Sequence, residues 1–411
     1  MRPRPDLLDR QAPAGIEVFQ LTLEPTTPAS HIYMEAQIFT PDSKRFVLHR
    51  SATPHGGEQN DPEHRYLLCD LENGGEMSPL TDEVGVTGPS ISPDGRWLYY
   101  FHDETAVNAG RLTLKRVCLD GTGRQAVVVL DTPARNAVRK ISRMYPLSTI
   151  SSDGRRIAIS GFIGDGRREP PPWGLLVFDV DQATAELVLE GPSWCNVHPQ
   201  YCRSPEPQAA HDIQVQENHG NVCTPDGAES VSVTGLGADI HVIRDDGTKF
   251  RDMPWGRDGK EFCQGHQCWR GRTSVGITST GWTPEDAEHW LVEGAIGPYS
   301  GHIGAKTPNA ARNVLSRSFE NPQFFHFATD AAGRRFISDN VPDWRGTSQL
   351  YLAEFGAELA EPLKNWRYLL DTKSRWASEF HTHPFLSPDG RTAFFNSNES
   401  GILQAYMIRG L

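Results

Sequence analysis

The chain of 411 residues is 37% apolar and 22% charged, enough to bury a core, yet no run approaches the ~18 apolar residues of a membrane-spanning helix. Its 38 glycines and 30 prolines argue against a mainly helical protein and for many short strands joined by turns. A formal charge of −12 without a basic patch excludes nucleic acid or an anionic membrane as the principal partner; a small acidic substrate stays open, because local cations outweigh a distant surface field.

Met1 to Gly15 carries Arg2, Arg4 and Arg10 but no apolar segment, so it does not read as a signal peptide and a cytoplasmic protein is expected. Gly15 to Leu23 reads as a strand. From Phe39 onward the chain repeats itself. Phe39-Thr-Pro-Asp-Ser-Lys-Arg-Phe46 is echoed by Ile91-Ser-Pro-Asp-Gly-Arg-Trp-Leu98, Ile150-Ser-Ser-Asp-Gly-Arg-Arg-Ile157 and Leu386-Ser-Pro-Asp-Gly-Arg-Thr-Ala393, with a weaker copy from Phe327 to Phe336. Pro presets φ, Asp caps the turn and Gly takes positive φ, so each copy predicts a hairpin. Further apolar strands follow, such as Tyr66 to Asp70, Leu175 to Asp179 and Gln404 to Ile408.

The turn aspartates Asp42, Asp94 and Asp153 lie 52 and 59 residues apart, and 411 divided by seven is about 59, a four-stranded blade with its loops. The expected fold is all-β: one domain spanning 1–411, a seven-bladed β-propeller of four-stranded blades. Its ring would be closed by Gly15 to Leu23 pairing beside Gln404 to Ile408, which removes free edges. Gly164 to Pro172 and Ser204 to Pro225 read as long rim loops, and Thr283 to Trp290, with Pro284 at its first position, as a short inserted helix. The seven cysteines are odd in number and lack zinc-knuckle spacing, so they read as reduced thiols.

Chemistry concentrates in histidines. Residues at i and i+2 of an extended segment point the same way, so His381 and His383 can converge on one ion. His198, His266 and His326 stand at the start of other inner strands, and inner strands surround a propeller's axis, so like-placed residues converge. The alternative for each is a channel imidazole bonded to a backbone carbonyl. His31 is placed at the pocket lining. Gln200, Tyr201, Trp269 and Asn218 are candidate sugar contacts, and His211 and His219 fall within the Ser204 to Pro225 loop.

These residues resemble the oligogalacturonate lyases, seven-bladed propellers that bind manganese and cleave pectin-derived uronides. His381-Thr-His-Pro-Phe-Leu-Ser-Pro-Asp389 is similar to the family's His-Pro-His-Pro-x-Phe-x-Pro-Asp, and Trp194-Cys-Asn-Val-His-Pro-Gln-Tyr201 to its Trp-x-Gly-His-Pro-x-Tyr-x-Pro. Gly265-His-Gln-Cys-Trp269 looks like Cys-x-His-Glu-Phe-Trp, and Phe325-His326 aligns with Cys-Ser-His. The resemblance implies that His266, His381 and His383 bind the metal and that His198 is the base. By position along the chain alone, His326, Gln200, Tyr201, His219, His31 and Trp269 are expected as substrate contacts. Two positions depart from the family. Ser378, beside Glu379, stands where its fourth metal ligand is Gln. Trp173 and Gly174 occupy the place of its catalytic Arg, leaving Arg168, with Arg167, as the nearest candidate.

The implied chemistry is β-elimination. The proton α to a carboxylate is too weakly acidic for an imidazole unless the developing charge is stabilised, which a divalent cation on the carboxylate does. Manganese is the expected ion, with calcium and zinc as alternatives, and an acidic oligosaccharide the expected partner of a monomer or weak homo-oligomer. The competing readings are a non-catalytic propeller that binds a sugar or protein, and a metal hydrolase or isomerase on the same ligands. No Gly-x-Ser-x-Gly elbow supports a serine peptidase.

Overall fold

Each Ser/Thr-Pro-Asp-Gly copy closes the hairpin that its chemistry predicts. Thr40, Ser92, Ser151 and Ser387 donate their hydroxyls to Asp42, Asp94, Asp153 and Asp389. The same carboxylate oxygens accept the backbone N–H of Lys44, Arg96, Arg155 and Arg391. Gly95, Gly154 and Gly390 take φ of +70°, +75° and +71°.

These turns also lock neighbouring blades together. A Cβ at Gly95 would stand 2.7 Å from Cδ of Pro41, and one at Gly154 would stand 3.1 Å from Cδ of Pro93, so each glycine packs on the proline of the preceding turn. Gly95→Ala combines that clash with an unfavourable φ and is expected to lower stability by about 1–3 kcal/mol. The shift in denaturant midpoint at unchanged slope measures it.

The computed structural model describes residues 1–53, 56–106, 110–163, 172–219, 222–223, 230–231, 237–253, 255, 263–280, 302–306, 312–342, 346–358, 361–375 and 380–411. Seven antiparallel blades form a ring, the β-propeller expected from the repeats. Blade 1 pairs Ala29–His31, Arg45–Arg50, Arg65–Asp70 and Glu76–Pro79, and blade 2 pairs Val86–Ile91, Trp97–Glu104, Arg111–Cys118 and Gln125–Leu130. Blade 3 pairs Arg143–Ile150, Arg156–Phe162, Trp173–Asp179 and Thr184–Gly191, and blade 4 pairs Gln200–Tyr201, Asp212–Asn218, Ala238–Arg244 and Arg251–Met253. Blade 5 pairs Cys263–Trp269, Gly276–Thr280, His302–Lys306 and Asn313–Val314, and blade 6 pairs Phe324–Thr329, Arg335–Asn340, Thr347–Glu354 and Lys364–Arg375.

Blade 7 closes the ring. Phe385–Leu386, Ala393–Ser397 and Gln404–Arg409 are joined by Glu17–Gln20, with Arg2–Pro3 adding a fifth strand outside. Arg4 clamps this junction through a two-pronged contact with Glu399, at 2.5 and 2.8 Å. Between blades 7 and 1, Phe39, Phe46, Phe385 and Phe394 pack ring on ring.

Three expectations change. The segment Ser204 to Pro225 is not one loop, because Asp212–Asn218 is the second strand of blade 4, with Ile213 and Val215 buried against blade 3. His31 does not line the mouth. It sits in the aromatic junction against Phe46, Phe385 and Phe394, with Nε2 2.9 Å from the Tyr406 carbonyl, and burial pulls its pKa down to about 3. Tyr201 is fully buried between blades 3 and 4, where its hydroxyl donates to Asp245, which also holds Arg156 and His211. The expected helix at 283–290 lies outside the described residues. The only helix among those described is the 3-10 turn Pro5–Leu7, and none is long and apolar enough to cross a membrane. Cys69, Cys118, Cys195, Cys202, Cys263 and Cys268 form no disulfide.

Candidate metal centre at the axial mouth

Four histidines reach the axis because their strands are irregular where they stand. In blade 6, Phe324 pairs with Asn340 and Phe327 with Ser338, so Phe325 and His326 together face Asp339 in a bulge. Such a bulge strands two backbone donors, and Asp339 takes both: its Oδ1 accepts from the N–H of Phe325 at 3.1 Å and of His326 at 2.8 Å. Its Oδ2 meets His326 Nδ1 at 2.7 Å and accepts the Thr382 hydroxyl at 3.1 Å, tying blade 6 to the His-x-His segment. In blade 5 the pairing slips between Cys263 and Gln267, around Gly265 at φ +85°, which re-aims His266. His198 and His383 take φ of +46° and +42°, strained for any residue but glycine, just before their strands.

The rings form a closed circuit. Centroid separations are 5.2 Å from Tyr33 to His198, 6.0 Å from His198 to His266 and 4.6 Å from His266 to His326. From His326 to His383 the separation is 4.5 Å, and from His383 back to Tyr33 it is 4.7 Å. His381 stands 5.0 Å from His326 and 5.6 Å from His383.

Within the circuit, His326, His381 and His383 each offer a nitrogen within 4.8 Å of the others, a group that could hold a metal ion. Ligands ~2.1 Å from a tetrahedral ion sit ~3.4 Å apart, a spacing these nitrogens could reach by drawing closer together. With Nδ1 engaged by Asp339, His326 would coordinate through Nε2, the carboxylate–histidine pairing usual behind a metal. Three imidazoles suit manganese or zinc and match calcium poorly, since calcium takes oxygen ligands. The group that could hold an ion includes His326, expected among substrate contacts, while His266, expected as a ligand, is its neighbour, between that group and His198. Asp339→Asn should weaken metal affinity about 10–100-fold with little change in fold. Metal titration followed by calorimetry checks it.

Beside this group His198 pairs with Glu35. His198 Nδ1 meets Glu35 Oε2 at 3.1 Å, and both side chains are buried. Burial raises the Glu35 pKa above the usual carboxylate value, with His198 and His326 partly opposing that rise. Tyr33 Oη is buried without a hydrogen-bond partner among the described residues, and burial drives its pKa well up. Neither residue was singled out from sequence, although the signal was present. Ile32, Met34, Ala36 and Ile38 belong to the core cluster, and Tyr33, Glu35 and Gln37 alternate with them.

Of the other candidates, Gln200 and Trp269 bracket blades 4 and 5. The Gln200 amide donates to the Gln267 carbonyl, and Trp269 Nε1 donates to the Gln200 carbonyl at 2.9 Å. Gln267 in turn donates to the His198 carbonyl at 3.0 Å, supporting its strained backbone. Asn218 donates to the Cys195 carbonyl. His219 Nε2 lies 2.7 Å from Asp239, which with Glu217 and His241 makes a second group of metal-binding type in blade 4. Arg168 and Ser378 lie outside the described residues.

Fold and site together describe a seven-bladed propeller with a candidate metal centre at one axial mouth. No described protein family and no curated protein matches the sequence. Solved structures do. An oligogalacturonate lyase in complex with manganese superposes with a TM-score of 0.69 at 19% identity, covering 98% of this chain and 95% of its own. Oligogalacturonate lyase from Vibrio parahaemolyticus gives 0.66 at 16%, covering 96% and 94%. A xyloglucanase from Xanthomonas campestris gives 0.51 at 14%, covering 92% of this chain but 52% of its own.

Proposed function

We propose that the protein is a metal-dependent lyase that cleaves uronic-acid oligosaccharides by β-elimination. The observation that carries this reading is the axial circuit, which sets a metal-binding imidazole triad beside a histidine held by a buried carboxylate. The fold likeness to two oligogalacturonate lyases supports the substrate class, and the manganese complex supports the choice of ion. An ion bound by the triad would draw electrons from a substrate carboxylate and acidify the adjacent C–H.

The chain's own residues do the rest. His198, with Nδ1 turned to Glu35, presents Nε2 to accept the proton on the carbon α to the carboxylate. The electron pair of that C–H bond forms the new C=C, the bond from the β carbon to the glycosidic oxygen breaks, the leaving oxygen takes a proton from water, and the His198 imidazolium returns its proton to solvent. Glu35 stabilises the imidazolium that forms and fixes its orientation, as a carboxylate does behind any histidine base. Asp339 holds His326, and Gln267 holds the His198 backbone.

Incubation with oligogalacturonate and manganese should raise ultraviolet absorbance as the unsaturated product accumulates, and chelation should stop it. Metal binding without absorbance change on any uronide would redirect the reading to a hydrolase or isomerase on the same ligands. Absence of both would leave a non-catalytic propeller.

A further inference from the structure

The axial channel continues past the imidazoles. Two residues further along the chain lie Gln200 after His198, Cys268 after His266, Ala328 after His326 and Phe385 after His383, each within an inner strand. All four line a separate cavity of about 350 Å³ that opens at the opposite face, where the hairpin turns, Pro41 and Pro388 among them, form its rim.

The turns at the rim carry Asp42, Asp94, Asp153 and Asp389, tied to their own hydroxyls and backbone, but the cavity wall itself differs in charge. The chain carries −12, yet the charged groups lining the cavity are two guanidinia, Arg203 and Arg272, and no carboxylate is among its described lining residues. Arg272 is exposed at the rim. Arg203 is half-buried in the cavity wall. Its Nη2 lies 3.5 Å from the Glu35 carbonyl, and it makes no salt bridge among the described residues, whereas burial pulls its pKa below the usual guanidinium value. A half-buried guanidinium that feels the Glu35 carboxylate only through space is incompletely compensated, and the cavity open beside it offers a place for a further counter-charge. Ile38, Phe39, Ile91, Trp269 and Leu386 give the walls an apolar surface.

We infer that this second mouth is a binding site for a small carboxylate with an apolar body, its anionic end on Arg203 and its body against Phe39 and Trp269. The site shares none of its lining residues with the imidazole circuit, although Arg203 touches the backbone of Glu35 behind it. It takes a ligand too apolar to be a uronide.

Calorimetric titration of the metal-loaded protein with benzoate, and with benzyl alcohol as the neutral control, tests this. A dissociation constant below about 1 mM for benzoate and at least tenfold weaker binding of benzyl alcohol are expected. Arg203→Met should weaken benzoate at least tenfold, with Arg203→Lys recovering part of the loss. His383→Ala should leave it unchanged. Should the Arg203 variants fail to fold, preference for benzoate over benzyl alcohol in His383→Ala, whose metal centre is disrupted, and its weakening at raised ionic strength still decide the matter. Equal binding of the two probes, no binding of either, or loss of benzoate in His383→Ala would overturn the assignment.

Discussion

Alanine in place of His383 is expected to reduce divalent metal affinity by about 100-fold or more, while the propeller stays folded. The three nitrogens of His326, His381 and His383 lie within 4.8 Å of one another, and removal of one leaves a two-point site that cannot exclude water. His381→Ala and His326→Ala should behave alike, the latter with an added fault. Asp339 would keep its bonds to the bulge N–H groups but lose the imidazole it orients. His383 allows a control that its partners do not, because it sits at φ +42°. Glycine accepts that conformation better than alanine, so His383→Gly should be more stable than His383→Ala by about 0.5–1 kcal/mol while binding metal equally poorly. Elemental analysis after dialysis, paired with thermal denaturation, separates the two effects. Unchanged metal content in all three alanine variants would refute the centre.

The architecture was legible because its determinants are local. Pro, Asp and Gly at fixed offsets encode a hairpin wherever they occur, and the spacing of Asp42, Asp94 and Asp153 counts the blades. Blade 4 resisted because its turn, between Gln200–Tyr201 and Asp212–Asn218, lacks that chemistry. Composition therefore concealed Asp212–Asn218 inside an apparent loop, although Ile213 and Val215 alternate as a buried strand should. The His381 and His383 pair followed from the period of an extended chain, but the place of His326 did not. Its ring is turned by a bulge, which exists only in the mismatch between two strands, and is held by Asp339 thirteen residues away on the second of them. His31 shows the converse failure. The sequence places it on an inner strand, and only packing reveals that its ring points into the Phe46, Phe385 and Phe394 junction instead.

The second large effect falls on His198. With His198→Ala, kcat on oligogalacturonate should drop about 10³-fold, within the range for loss of a general base, while bound metal is retained, because His198 lies outside the triad. A residue needed only for packing would instead lower stability and metal content together. Glu35→Gln is subtler. An ionised Glu35 accepts the His198 Nδ1 proton and leaves Nε2 to act, whereas the amide can donate to Nδ1 and favour the wrong tautomer. A loss of about 10–100-fold in kcat is expected. Its pH dependence follows from the sign of the shift. Burial raises the Glu35 pKa, so the wild-type carboxylate is protonated at a higher pH than an ordinary glutamate and ceases to orient His198 as pH falls through that value. The deficit of Glu35→Gln relative to wild type should therefore be widest on the alkaline side of that titration and should shrink as the solution is acidified. Profiles of kcat/KM against pH for the two proteins read this directly. A ratio that stays constant across the range would mean that Glu35 supports His198 without governing its tautomer.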